Sequence, residues 1–229
     1  MAQTIPEHVG FILDGNRRWA KENGLQNIDG HRQGFENLKV ITKATVTKGV
    51  SFVSAFVFST DNWNRTPKEV KYLMELAHKL LTRDVAELHK ENIRVLWLGS
   101  SDKVSVKLQK AIKNAEETTK DNTKGTLAIC FNYGGSQEIL DATKQLIDRG
   151  ISADKVTTEV FESALYRPIV PKLDMVLRTS GEKRTSGFML YRAAYAELIF
   201  VEKYWPDFTV KDLGEALSEF GRRKRRLGI

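Results

Sequence analysis

Cysteine is nearly absent from this 229-residue chain. Cys130 stands alone, so no internal disulfide can form and a buried structural thiol is expected. Long apolar runs are absent too: no stretch approaches the ~20 apolar residues that cross a bilayer. The opening MAQTIPEHVG carries no apolar signal core, and a cytoplasmic protein is expected. No glycine run ends in Lys-Ser or Lys-Thr, which excludes a Walker phosphate loop. No cysteine and histidine set has zinc-site spacing, and no glycine–aromatic RNA-binding strand appears, so nucleic acid is not expected as a partner. There is no repeat, linker or low-complexity tract. Positive charge is in excess, with 36 Lys and Arg against 29 Asp and Glu, a net +7. Such a surface suits nucleic acid, an anionic membrane face or phosphorylated small molecules, and the sum alone does not choose.

With 41% hydrophobic residues the chain can bury a substantial core, and one domain over residues 1–229 is expected. Apolar strand-like runs fall at Val9–Leu13, Val50–Phe58, Ile93–Leu98, Leu127–Phe131, Met175–Leu177 and Leu198–Val201. Helix-length segments with apolar residues three or four apart separate most of them. Gly34 to Lys48, Val104 to Glu117 and Ile139 to Ile147 are examples. Thr66-Pro67-Lys68-Glu69 reads as a capped helix start, followed by an apolar face from Val70 to Leu88. Thr209 to Asp212 repeats the capping pattern before a last helix running to about Arg226. This alternation predicts an α/β fold, a mostly parallel sheet of about six strands flanked by helices. The run Arg222–Arg226 reads as a solvated helix end, with phosphate or acidic-lipid contact as the alternative.

Two clusters point to phosphate chemistry. The first is HVGFILDGN, residues 8–16, followed by Arg17, Arg18 and Trp19. A buried strand ends in a carboxylate, a glycine and an amide, and opens into a helix. Asp14 can cap that helix or hold Mg2+ against a diphosphate. Gly15 lets the backbone approach a phosphate, Asn16 can turn its amide there, and the two arginines supply forked donors. The second cluster, Arg178-Thr-Ser-Gly-Glu-Lys-Arg184 with Ser186, can form an anion-binding nest; a solvated turn is the plainer reading. His31 is either a satisfied structural histidine or a ligand or proton-transfer group. The polar and aromatic stretch Ser59 to Arg65 should emerge at the same sheet edge as Asp14. There Arg65 can reach a diphosphate, Asn62 and Ser59 can orient a reacting group, and Trp63 reads as a loop anchor. Glu69 reads first as a capping carboxylate. Glu197 either caps a turn or pairs with a lysine, or completes a metal site opposite Asp14 from a neighbouring subunit. Phe56, Val57, Met74, Ala77, Leu81, Leu96, Leu98 and Ile129 are candidates to line an apolar tunnel, or are ordinary core.

Five motifs in order carry a resemblance: HVGFILDGNRRWA at the start, GHRQG at 30–34, FSTDNWNRTPKEV at 58–70, FNYGG at 131–135, and the long run from Arg178 to Phe208. The chain closely resembles the cis-prenyltransferases, the undecaprenyl diphosphate synthase family, almost end to end. The resemblance implies a parallel sheet flanked by helices, a homodimer, and Mg2+ without an organic cofactor. It implies condensation of isopentenyl diphosphate with an allylic diphosphate such as farnesyl diphosphate. By motif, Asp14 is implied as the metal and diphosphate residue. Asn16, Arg18 and His31 are implied at the allylic diphosphate, with Gly15, Arg17 and Trp19 beside them. Asn62 and Arg65 are implied in catalysis, with Ser59 and Trp63 on the same loop. Arg178, Arg184 and Ser186 are implied at isopentenyl diphosphate, and Glu197 as a further Mg2+-linked carboxylate. The base is open between bound diphosphate, Asp14 and a relay through Asn62 or His31. Arg17, Asn27, Ser136, Gly187 and Tyr191 depart from the commonest bacterial pattern. Gly125, where long-chain members carry a bulkier residue near the tunnel floor, would leave room. A long undecaprenyl-like product is therefore expected, with peripheral membrane contact through the lipid. A short-chain product, which large residues protruding into the tunnel would favour, and a non-catalytic partner subunit are the alternatives.

Overall fold

Six apolar runs become six strands: the inner runs are buried on both faces, where only a sheet satisfies the backbone, while the last leaves Leu198 exposed at the sheet edge. The structure, a computed structural model, describes residues 4–223; residues 224–226 of the basic run lie outside the described residues. The strands are β1 (His8–Ile12), β2 (Phe52–Ser59), β3 (Ile93–Leu98), β4 (Gly125–Tyr133), β5 (Met175–Arg178) and β6 (Glu197–Phe200). They form one sheet in the order β3-β4-β2-β1-β5-β6, and every neighbouring pair is parallel. All nine residues of β4 are buried.

The helices are α1 (Asn16–Glu22), α2 (Asn27–Thr47), α3 (Pro67–Lys79), α4 (Val85–Lys90), α5 (Val106–Thr119), α6 (Gly135–Asp148), α7 (Thr158–Glu162) and α8 (Val210–Arg222). The larger core lies on one face of the sheet, where Leu38 and Ile41 of α2, Leu73 and Ala77 of α3, Leu88 of α4, Ile112 of α5 and Leu213 of α8 pack. The other face is covered by Val170, Leu173, Phe188 and Met189, with α6 outside. Among the described residues no helix is long and apolar enough to cross a membrane.

Three elements depart from the sequence reading. Helix α2 starts at Asn27, before the expected Gly34, because the Asp29 carboxylate accepts from the Gln26 backbone N–H at 3.2 Å. Its two early glycines are packing positions rather than breaks. A Cβ on Gly30 would lie 2.0 Å from the Asn16 carbonyl oxygen, and one on Gly34 2.4 Å from Asn16 Oδ1. The expected single helix from Val70 to Leu88 is interrupted by a π turn at Leu80–Asp84. Gly125 leaves no room near a tunnel floor, because a Cβ there would meet Val46 of α2 at 2.7 Å.

Strand alternation also re-sorts the tunnel candidates. Leu96 and Leu98 belong to the core on the far face, while Val95 packs on the α2–α3 side with Trp97 partly buried against it. A strand apolar on both faces carries no polar alternation to say which side is which. Register shifts in the β2–β4 pairing between Phe56 and Ser59 act as a bulge. They bring the consecutive residues Val57 and Phe58 to the same core, re-aiming Val57.

Candidate active site

The carboxyl ends of three adjacent strands meet at one cleft, the usual ligand position of an open α/β sheet. Asp14 follows β1, the Ser59–Arg65 turn follows β2, and Arg178 ends β5. Gly15 makes the transition into α1 with φ of 105°, a conformation that suits glycine. Its N–H bonds Asp14 Oδ1 at 2.8 Å.

Asp14 is the hub of the first cluster. Its Oδ2 accepts from Arg178 Nη2 at 2.7 Å, and Oδ1 lies 3.3 Å from Arg18 Nη2. Its backbone carbonyl accepts from the Thr179 hydroxyl at 2.7 Å and from Trp205 N–H at 3.0 Å. Arg178 is only 4% exposed, so its charge needs these partners. It also donates to Ser186 Oγ at 2.8 Å and to the Arg184 carbonyl at 2.6 Å. Glu182 joins the two motif clusters: it pairs with Arg18 at 3.0 Å and with Arg184. The loop carries left-handed residues in two pairs, Ser180–Gly181 and Ser186–Gly187, and such turns aim successive backbone N–H groups to one side.

Glu69 is the hub of a second cluster. Its backbone N–H donates to Thr66 Oγ1, but the carboxylate is not spent on the cap. Oε1 accepts from His31 Nε2 at 3.0 Å and from Arg65 Nη1 at 3.2 Å, with Arg17 Nε at 4.0 Å. Burial would raise the Glu69 carboxyl, but the His31 hydrogen bond and the charges of Arg65 and Arg17 hold it below its usual value. Burial lowers His31 below the usual imidazole range, against the pull of Glu69. An ionised Glu69 can only accept, so neutral His31 carries its proton on Nε2.

The cleft has two connected lobes. One, of about 800 Å³, is lined by Asp14, Gly15, Asn16, Arg17, Arg18 and His31 among others. The second, of about 350 Å³, shares Asp14, Asn16, His31 and Arg65. It adds Ser59, Asn62, Arg178, Arg184 and Ser186, and ends on the apolar Phe35, Val57 and Leu73. Asn16 Oδ1 and Arg178 Nε, on residues that line the cleft, are buried without a hydrogen-bond partner, polar capacity that a ligand there can use. Asn62 Oδ1 accepts from the Ser59 N–H at 3.1 Å, which locks the turn after β2.

Twelve of the fifteen residues singled out in the sequence line these lobes. Three do not. Trp19 turns outward and donates to Asp207 Oδ1 at 2.8 Å. Trp63 is an anchor, donating to Asn132 Oδ1 at 2.7 Å with its ring against Phe58. Glu197 opens β6 in register with Met175, whereas Arg178 is in register with Phe200. Glu197 thus sits at the amino edge of the sheet, three residues or about 10 Å below the cleft at ~3.3 Å per residue. There it pairs with Arg223 at 2.8 Å. Sequence reasoning missed Glu182 and the ion-pairing role of Glu69; the only signal was a carboxylate embedded in an arginine-rich run.

The donor set can be tested against Mg2+. Among the described residues no group of three or more His, Cys, Asp or Glu could hold a metal. Asp14 is a lone carboxylate beside an anion-binding pocket. Mg2+ commonly takes one or two carboxylates and completes its shell with water and substrate phosphates, and Asp14 fits that pattern.

A family model described as putative undecaprenyl diphosphate synthase matches residues 12–228. An isoprenyl transferase of Thermotoga maritima is 43% identical over 98% of this chain and 97% of its own length. Isoprenyl transferase 2 of Corynebacterium glutamicum is 40% identical over 99% of this chain and 95% of its own length. Among solved structures, lavandulyl diphosphate synthase from Lavandula x intermedia, in complex with dimethylallyl diphosphate, superposes with a TM-score of 0.94. It is 32% identical and covers 98% of this chain and 99% of that one. With the family model spanning nearly the whole chain and relatives matched almost end to end, the chain belongs to the undecaprenyl diphosphate synthase family of cis-prenyltransferases.

Proposed function

We propose that the chain condenses isopentenyl diphosphate with an allylic diphosphate, in a Mg2+-dependent reaction, as a homodimer. The observation that supports this reading best is the cleft itself. Cationic side chains from two separate motifs converge on Asp14, and the cleft ends in apolar Phe35, Val57 and Leu73. Two diphosphates and one hydrocarbon tail are the ligands such a site suits.

In this reading Arg18, Asn16 and His31 hold the allylic diphosphate, and Gly15 lets the backbone approach it. Arg178, Arg184 and Ser186 hold isopentenyl diphosphate. Asp14 is the protein ligand for Mg2+, which neutralises diphosphate charge when bound. The allylic C1–O bond breaks, and its electron pair leaves with the diphosphate. Arginines fixed before the reaction stabilise that developing charge without reorganising. The alkene of isopentenyl diphosphate attacks C1, and a proton passes from C2 to a bound diphosphate oxygen, restoring a double bond. No protein nucleophile is required. Arg65 and Arg17, held by Glu69, keep positive charge at the mouth, and Asn62 holds the turn that closes the cleft on the β2 side.

The test is incubation of the purified protein with labelled isopentenyl diphosphate, Mg2+ and dimethylallyl, geranyl or farnesyl diphosphate in turn. Labelled prenyl product is expected, and none in the presence of chelator. Asp14→Ala should retain its circular-dichroism spectrum and lose about 100-fold or more in turnover, the scale of removing a preorganised electrostatic group. Full activity in that variant would remove Asp14 from the metal role. Absence of product with every primer would favour the non-catalytic partner subunit.

A further inference from the structure

Helix α1 carries Asn16, Arg17 and Arg18 at the cleft, yet little within it holds it as a helix. It has seven residues, no side-chain cap at its start, no acidic group in its first turn, and Ala20 as its buried residue. A helix this short is not stable alone in water and takes its order from its neighbours. Helix α2 is one neighbour: its Gly30 and Gly34 admit Asn16. The other is the segment 201–205, which leaves β6 for α8. Its backbone is bonded to the loops after both β1 and β5. The Trp205 N–H donates to the Asp14 carbonyl at 3.0 Å, and the Ser180 N–H donates to the Lys203 carbonyl at 2.7 Å. Tyr204 stands between these two bonds.

The Tyr204 side chain touches three positions that share one face of α1: Gly15 at its N-cap, Arg18 and Glu22. A Cβ on Gly15 would lie 2.7 Å from Tyr204 Cδ1 and 3.1 Å from its Cα, so the tyrosine packs directly against that turn. The Arg18 guanidinium lies over the ring, 5.8 Å from its centroid, a cation–π contact. The phenol donates to Glu22 Oε1 at the other end of the helix. We propose that Tyr204 is a positioning residue for the allylic diphosphate: its ring holds the Arg18 guanidinium, and the turn that presents it, in place for the leaving group. This rests on the prenyl-transfer reading above, and adds to that site a residue that lines neither lobe of the cleft. Charge alone does not fix Arg18. Its side chain is 43% exposed, and it is shared between Glu182 at 3.0 Å and Asp14 at 3.3 Å. Ion pairs on exposed side chains hold geometry weakly. A flat ring beneath the guanidinium removes the remaining freedom before charge develops on the diphosphate, so no reordering is needed then.

The experiment measures KM separately for isopentenyl diphosphate and for the allylic primer that the wild type uses, chosen from dimethylallyl, geranyl and farnesyl diphosphate, with Mg2+ present. Tyr204→Leu should raise KM for the primer about tenfold, the scale of one well-placed cation–π contact, and leave KM for isopentenyl diphosphate nearly unchanged. Tyr204→Phe keeps the ring, loses only the bond to Glu22, and should stay close to the wild type. If Tyr204→Leu does not fold, Tyr204→Met serves in its place and should show the same split. In an Arg18→Ala background Tyr204→Leu should add little further loss, because it acts through Arg18. Equal rises in both KM values, full additivity with Arg18→Ala, or a folded Tyr204→Leu with wild-type kinetics would overturn the assignment and leave prenyl transfer intact. A Tyr204→Phe variant as impaired as Tyr204→Leu would overturn it in favour of the hydroxyl bond to Glu22. No product from the wild type with any primer would instead overturn the prenyl-transfer reading itself.

Discussion

At the residue scale, the cleft separates two jobs that its arginines divide. Arg178 is buried and tied at both ends, to Asp14 and to Ser186. Arg184 reaches into the cleft from an exposed loop and is paired there with Glu182. Truncating Arg184 therefore leaves the buried network standing, since its carbonyl, not its side chain, receives Arg178. Arg184→Ala should raise KM for isopentenyl diphosphate about tenfold, the ~1.4 kcal/mol scale of one charged hydrogen bond, and change KM for the allylic substrate much less. Equal effects on both would count against its place at isopentenyl diphosphate. A second residue makes the fold sensitive to acid. His8 is fully buried, with Nδ1 at 2.9 Å from the Pro171 carbonyl and Nε2 at 2.8 Å from Ser54 Oγ. The carbonyl can only accept, so Nδ1 carries the proton and Nε2 receives the Ser54 hydroxyl. Burial, helped by the charge of Arg192, lowers His8 from the usual 6.5 to about 4. The unfolded chain then binds a proton that the folded one refuses. This stability is fully present above pH ~6.5 and lost as pH falls to about 4, amounting to about 3 kcal/mol. Urea unfolding at pH 7 and pH 4 should show that loss, and His8→Gln should reduce the difference between the two. An unchanged difference would assign acid sensitivity elsewhere. What the sequence displayed at this scale was charge next to strand ends, which is why Asp14, Arg178 and Arg65 were legible. Glu69 was not, because a capping position explains its backbone N–H and says nothing of where its carboxylate points. Which face of β3 Leu96 and Leu98 take was not legible either, because a strand apolar on both faces carries no polar alternation.

At the scale of elements, the inner strands were legible because parallel strands buried on both faces are continuous apolar runs. Their ends were less so: β4 runs on through Asn132 and Tyr133, polar or amphipathic residues held by side-chain bonds rather than by hydrophobicity. Helix starts with a threonine cap were read correctly at Thr66 and Thr209, where the hydroxyl accepts from the N–H three residues on. The π turn at Leu80–Asp84 has no such signature, since one inserted residue changes the helix phase without changing its composition. The cap at Thr66 has a consequence for the site, because the residue whose N–H it holds is Glu69. Thr66→Ala should lower stability by about 1 kcal/mol, seen as a lower urea midpoint at unchanged slope. It should also weaken substrate use modestly, by loosening the first turn that carries the His31–Glu69–Arg65 cluster. A variant with the lower midpoint but wild-type kinetics would show that this cluster is held by its ion pairs alone.

At the scale of the whole molecule, the position of Glu197 decides how many chains make one site. It lies at the amino edge of the sheet, paired with Arg223, while Asp14 lies at the carboxyl edge. No side-chain motion within one chain spans that distance. A role for Glu197 at the metal therefore requires a second copy of the chain. Edge strand β6 offers a surface for one, with Leu198 and Tyr195 exposed at its start and one side of its backbone outside the sheet ladder. In a two-fold dimer of this kind each site takes Asp14 from one protomer and Glu197 from its partner, so defects in the two residues are complementary. Asp14→Ala and Glu197→Ala should each be inactive alone. After subunit exchange, a mixed dimer has one site with both residues intact and one with neither. Random exchange gives mixed dimers as half of the total, so activity should recover to about a quarter of the wild-type value. The recovery should grow with the time allowed for exchange and vanish when the subunits are first cross-linked. Mixing that restores nothing, although labelled subunits demonstrably exchange, would confine Glu197 to its ion pair with Arg223 and leave Asp14 as the only protein carboxylate serving the diphosphates.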